Sequence, residues 1–164
     1  MKLQDVNALD AMGFESAFGD IAEHSPWVAQ EAHACRPFAS REHMIKTFEQ
    51  VISKASDAAK LTLLRAHPDL ATRAKLTEDS SREQKGVGLD TLTPEEFVRF
   101  NELNSVYKER NGFPFIFAVK GATKHQILAG FESRIDNDHD LEFETALEQV
   151  GRIIRFRLEA RVDE

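Results

Sequence analysis

Thr93-Pro94-Glu95-Glu96-Phe97 opens a stretch that closes at Asn111-Gly112, and it carries both ends of a helix within itself. A threonine oxygen can accept the backbone N–H three residues on, proline suits the first helical position, and Glu96 can reach back to the threonine N–H, which together make a capping box. Phe97, Phe100, Leu103 and Tyr107 then recur at the spacing of one helix face. At the far end Gly112 can take the left-handed conformation that terminates a helix. The stretch therefore predicts a long amphipathic helix, and it sets the expectation for the rest of the chain.

Similar signals occur on both sides of it. Phe14, Ala17, Phe18 and Ile21 share a face in an early helix, and Ser25-Pro26 opens a second with proline in the first helical position. Pro37 separates that helix from one starting at Ser40, with Met44, Ile45, Phe48, Val51 and Ile52 inward. Another starts after Ser56, carries Leu61, Leu64 and Arg65, and ends near His67, because Pro68 disfavours helical geometry in the residue before it. Thr123 opens a helix with Ile127, Phe131 and Ile135 inward, which gives way to Asp136-Asn137-Asp138. The last runs from about Leu141 to Val162, with Leu147, Val150, Ile154 and Leu158 in one stripe. Strong helix formers make up 80 of the 164 residues, against 8 glycines and 5 prolines. The expected fold is all-α, a single-domain bundle of about seven to eight helices over residues 1–164, with no internal repeats.

Two stretches break the pattern. Pro68 to Leu92 is a long connector with room for only a short helical turn or two, and connectors of that length in compact domains usually carry function. Phe113 to Val119 is too apolar for a surface loop and too short for a core helix. It is expected to run extended, with backbone groups that need partners or a ligand.

Charge and composition exclude several classes. A net charge of −7 opposes binding to nucleic-acid backbones or anionic membranes. Asp5, Asp10, Glu15 and Asp20 interrupt the first residues, so neither a secretory leader nor a membrane span is read there. The single cysteine, Cys35, cannot pair within the chain, which fits a reducing, cytoplasmic setting. Twelve phenylalanines stand against one tyrosine and one tryptophan. Rings without a polar handle fill cores, or line a pocket or subunit interface.

Candidate chemical groups each have a plain structural reading. His67 at a helix end can complement the helix dipole, worth about 0.3–1 kcal/mol, or can exchange protons beside a rigid His67-Pro68 junction. Ser80 with Glu83 reads as a capping box that starts a short helix, or as a helix terminus presenting Glu83 and Gln84 to an anionic ligand. Gly86-Val87-Gly88 is no dinucleotide fingerprint, since no strand precedes it. His33, Cys35 and His43 lack zinc-ligand intervals, so no metal site is expected. Arg152, Arg155, Arg157 and Arg161 read as a solvated face, unless one turns inward to clamp a carboxylate or ureido group.

Taken in order, three segments resemble the 2-oxo-4-hydroxy-4-carboxy-5-ureidoimidazoline (OHCU) decarboxylase family of urate catabolism. They are His67-Pro68-Asp69-Leu70-Ala71, then Ser80 with Glu83-Gln84, Gly86 and Gly88-Leu89-Asp90, then Phe113-Pro114-Phe115-Ile116. Ser25-Pro26-Trp27-Val28, Arg36-Pro37-Phe38, Leu103-Asn104 with Tyr107, Val119-Lys120-Gly121 and Phe156-Arg157-Leu158 add to the match. Val87 and Asn111 depart from it, in place of an alanine and an aromatic.

The resemblance implies an all-helical, cofactor-free, usually homodimeric lyase acting on a small-molecule substrate and forming (S)-allantoin. It places the catalytic histidine at His67, with Glu83 as its catalytic partner. Substrate contacts fall on Pro68, Ser80, Glu83, Gln84 and Arg157, with Arg155 a rival for the last. The backbone cradle falls on Phe115, Ile116, Phe117, Ala118 and Val119. Two other classes remain open at this point: a non-enzymatic helical adaptor, and an enzyme for another small ureido-carboxylate.

Overall fold

Caps and terminators place the helices, and the chain obeys them closely. The computed structural model describes residues 1–164 and is all-α, with nine helices and no strand. In chain order they are α1 (Leu3–Ala8), α2 (Ala11–Phe18), α3 (Trp27–His33), α4 (Arg41–Lys54), α5 (Asp57–Arg65), α6 (Glu78–Gly86), α7 (Pro94–Asn111), α8 (Lys124–Arg134) and α9 (His139–Arg161). The count exceeds the expected seven to eight because α1 precedes the first expected helix and α6 fills the connector.

The capping box of α7 closes in both directions. Thr93 Oγ1 accepts from the Glu96 N–H at 3.2 Å, and Glu96 Oε1 accepts from the Thr93 N–H at 3.0 Å. Gly112 ends the helix at φ 76°, where a β-carbon would be strained. Ser40, Ser56 and Thr123 cap α4, α5 and α8 at the expected positions. The connector departs from expectation. Its helix starts three residues earlier than the Ser80 box, because Thr77 takes the cap and accepts from the Ser80 N–H at 3.3 Å. Glu78 and Asp79 then supply negative charge to the first turn, where the dipole favours it.

Internal contacts divide the chain into two compact units. The first comprises Met1–Ala66 and Gly151–Glu164. Its core gathers Phe14, Phe18, Phe38 and Phe48, with Phe14 and Phe18 centroids 4.9 Å apart. Its termini meet in sequence-distant hydrogen bonds: the Met1 ammonium donates to the Arg161 carbonyl at 2.8 Å, and the Asp163 N–H to the Met1 carbonyl at 2.8 Å.

The second unit comprises His67–Val150. Phe100, Tyr107, Phe113, Phe115, Ile127 and Phe131 are buried there, and the Phe115 and Phe131 rings stack at 3.8 Å. Burying one such side chain contributes about 1.5–3 kcal/mol. The segment Phe113 to Val119 forms neither helix nor strand and joins no sheet.

Two outcomes test the α7 start. Thr93→Ala removes the cap and should cost about 1 kcal/mol in urea unfolding. Glu96 also accepts from Lys124 Nζ at 2.8 Å, and that bond, followed by the Thr93 N–H, lowers its pKa to about 2. A depressed carboxylate contributes stability that is present above its unfolded pKa and lost as pH falls towards 2. Glu96→Gln should flatten the stability-pH curve over that acid window, measured by thermal melting.

Candidate active site

His67 follows the end of α5 and is 8% exposed. The segment after it turns sharply, and Ala71 sits at φ 58°, a left-handed value that costs a non-glycine residue about 1–3 kcal/mol. Side chains from two helices hold this backbone. Gln84 Oε1 accepts from the Ala71 N–H at 3.0 Å, while Gln84 Nε2 donates to the Asp69 carbonyl at 3.4 Å. From α7, Asn104 Nδ2 donates to the Leu70 carbonyl at 2.9 Å, and Lys108 Nζ pairs with the Asp69 carboxylate at 2.8 Å.

Ser80, Glu83 and Gln84 therefore lie within a helix, not in a loop or at a free helix end. Their i, i+3, i+4 spacing puts them on one face. Since Gln84 reaches the backbone of 69–71, that face is turned to the segment that follows His67. Ser80 and Gln84 are buried, and Glu83 is half-buried. Gln84 is largely spent on the loop, which makes it a brace for the histidine segment.

The Phe-rich segment is held just as firmly. Arg134 donates to the Ile116 carbonyl at 2.8 Å, lies 4.4 Å over the Phe115 ring, and pairs with Glu142 at 2.8 Å. Glu142 is fully buried and also accepts from the Tyr107 hydroxyl at 2.6 Å and Asn137 Nδ2 at 3.1 Å. Burial, then the Glu142 carboxylate, pushes the Tyr107 hydroxyl pKa well above its ordinary value. Gln149 accepts from the Ala118 N–H at 2.9 Å. Phe117 lies against α8 at Gly130, where an added β-carbon would stand 2.8 Å from the ring.

Asn104 and Tyr107, one turn apart on α7, bring the two segments to the same helix face. Asn104 holds Leu70, and Tyr107 packs edge-on against Phe113 and Phe115, with centroids 6.0 and 5.3 Å away. The sequence reading passed over Arg134, Asn137, Glu142 and Gln149. Buried polar residues look like surface ones in a one-dimensional pattern, and only the adjoining Asp136-Asn137-Asp138 turn hinted that they could meet.

Arg157 belongs to the first unit. It is buried, donates to the Ile21 carbonyl at 3.1 Å, and pairs with Glu23 at 3.0 Å. Its rival Arg155 is bound through both terminal nitrogens to Glu42, at 2.7 and 2.9 Å. No group of three or more His, Cys, Asp or Glu side chains is arranged to hold a metal. No helix is long and apolar enough to cross a membrane.

Comparison with known proteins gives concordant matches. The family model described as OHCU decarboxylase matches residues 7–159. A 2-oxo-4-hydroxy-4-carboxy-5-ureidoimidazoline decarboxylase of Haloferax volcanii is 44% identical over 98% of this chain and 96% of its own. One from Halalkalicoccus jeotgali is 40% identical, over 97% of this chain and 90% of its own. A crystal structure of (S)-allantoin synthase superposes with a TM-score of 0.79 at 34% identity, covering 99% of this chain and 55% of that one. The chain thus spans about half the length of that synthase chain.

The buried network around Glu142 yields a direct stability test. Removing one partner of a buried pair leaves an uncompensated charge and typically costs about 3–5 kcal/mol. Arg134→Ala should lose that much in urea unfolding, whereas Lys108→Ala, which breaks an exposed pair, should lose about 1 kcal/mol or less.

Proposed function

Because the chain belongs to the OHCU decarboxylase family, we propose that it decarboxylates 2-oxo-4-hydroxy-4-carboxy-5-ureidoimidazoline to (S)-allantoin in urate breakdown. The observation that carries this reading is the braced histidine segment. His67 precedes a backbone clamped by Gln84 and Asn104, and the Ser80-Glu83-Gln84 face of α6 is turned towards it. A helical adaptor has no use for such an arrangement of buried polar groups.

The substrate brings its own electron sink. Its carboxylate stands on a ring carbon beside an imine, so breaking the carbon–carboxylate bond sends the electron pair into the ring and displaces the imine pair onto nitrogen. That nitrogen takes up a proton, a second proton arrives on one face of the ureido-bearing carbon, and the ring hydroxyl gives up its own as it becomes the carbonyl, so one proton is consumed for each CO₂ released. The protein must hold the carboxylate out of the ring plane, stabilise developing charge and deliver that proton.

His67 serves the ring hydroxyl as acid and base, and Glu83 orients His67 or the hydroxyl. Gln84 binds polar groups of the substrate, a role that the family resemblance also gives to Arg157. Pro68 and Ser80 line the site, and the backbone of Phe115, Ile116, Phe117, Ala118 and Val119 cradles the ring. No metal or organic cofactor takes part.

We place the enzyme in the cytoplasm as a homodimer, with residues 1–164 acting as one catalytic domain. The family resemblance supports the dimer. The phenylalanine count does not, since all twelve rings are buried or half-buried within the chain. An apolar surface on α7 with Val98 and Val106 exposed is compatible with an interface.

Freshly oxidised urate supplies the unstable substrate, and circular dichroism reports the chiral product. His67→Asn should cut enantioselective turnover by at least about a hundredfold while the chain stays folded. If His67 only complements a helix end, stability should change by about 1 kcal/mol or less and turnover should hold. EDTA should leave activity intact; loss of turnover that a divalent metal restores would contradict the cofactor-free mechanism.

A further inference from the structure

Asn104 is a buried amide with a partner at only one of its two polar atoms. It is 4% exposed, its Nδ2 donates to the Leu70 carbonyl at 2.9 Å, and its Oδ1 has no partner. The carbonyl of Leu70 fixes which end of the amide faces it, because an oxygen there would find no proton to accept. An unpaired buried acceptor costs about 1–3 kcal/mol. An apolar side chain of similar volume would avoid that cost, so the residue earns its place through the donor end alone.

That donor meets the backbone at the midpoint of the clamped turn. Gln84 secures the Asp69 carbonyl and the Ala71 N–H on either side, and Ala71 is held at φ 58°. Residues in such strained backbone persist only where surrounding contacts over-determine them. Without the Asn104 bond, the Leu70 peptide can rotate and the turn can relax towards an ordinary conformation. The His67-Pro68 junction is stiff, since proline fixes its own φ and restricts its neighbour. Asp69, the one residue between that junction and Leu70, is tied at its carbonyl to Gln84 and at its carboxylate to Lys108, so a rotation at Leu70 is passed back towards the histidine.

We propose that Asn104 is a positioning residue for His67. It acts through the Leu70 carbonyl, sets the orientation of the imidazole, and touches no substrate. The proposal rests on the decarboxylase reading for its rate consequence and on the geometry alone for its consequence at His67.

The test is Asn104→Leu in the full chain, which keeps the volume and removes the donor. Turnover should fall about tenfold to a hundredfold with KM nearly unchanged, the pattern of a catalytic group displaced by a fraction of an ångström to an ångström. In protein labelled with ¹⁵N-histidine, the His67 ring signals, assigned by their loss in His67→Asn, should shift, and the amides of Leu70 and Ala71 should exchange faster. Thr93→Ala, which weakens the same helix at its start, should lower the melting temperature without moving the His67 signals. If leucine prevents folding, Asn104→Ala carries the same measurements, since the shorter side chain has no donor to offer the Leu70 carbonyl. A folded variant whose His67 signals and local exchange match the unaltered protein overturns the proposal, whatever its rate. Failure of the unaltered protein to convert the substrate removes the decarboxylase reading and leaves the His67 signals to decide the role of Asn104.

Discussion

A carboxylate with no exposed surface must be neutralised where it lies, and in the second unit that requirement falls on Glu142. An ionised carboxylate in a medium of low dielectric is sustained only by several well-placed donors. Tyr107 from α7, Arg134 from the end of α8 and Asn137 from the following turn supply them. Satisfying one charge therefore fixes three separate stretches of chain at once. The same guanidinium holds the Ile116 carbonyl, so the geometry of the Phe-rich segment follows from that of the ion pair.

α7 is the element that turns this local solution into a site. Its capped start and left-handed stop give it a fixed length, and its inward face alternates ring packing with backbone contacts. Tyr107 meets the Phe-rich segment, and Asn104 and Lys108, on neighbouring turns, hold the stretch after His67. Two irregular segments, each unable to satisfy its own backbone in a helix or sheet, are thus ordered by one regular element. This is the physical route by which an all-helical protein holds irregular backbone in a fixed conformation without a β-sheet.

The division of polar work inside the unit also has a thermodynamic logic. Backbone strain at Ala71 and the unpaired Asn104 oxygen both oppose folding, while the stacked Phe115 and Phe131 rings and the surrounding aromatic cluster favour it. Aromatic pairs add about 0.5–1.5 kcal/mol beyond their area burial. The apolar half of the unit can therefore sustain a strained polar half.

The sequence by itself located seven of the nine helices and the caps of most of them, because caps, proline positions and glycine terminators act within a few residues. Ser40, Ser56, Thr93, Thr123 and Gly112 were legible for that reason, and so was the break in the helical pattern from Phe113 to Val119. The start of α6 was misread by one turn because Thr77 and Ser80 are equally good caps, and choosing between them depends on which residues are buried against the loop. The residues named for the site, His67, Ser80, Glu83 and Gln84 among them, came from ordered motifs and not from periodicity. Tertiary structure alone decided that Gln84 and Asn104 brace one turn, that Arg134 and Glu142 form a buried pair, and that the phenylalanines are absorbed within the chain. Hydrogen bonds between residues 13 and 34 positions apart leave no local pattern, since their partners are chosen by the packing of helices and not by neighbours along the chain.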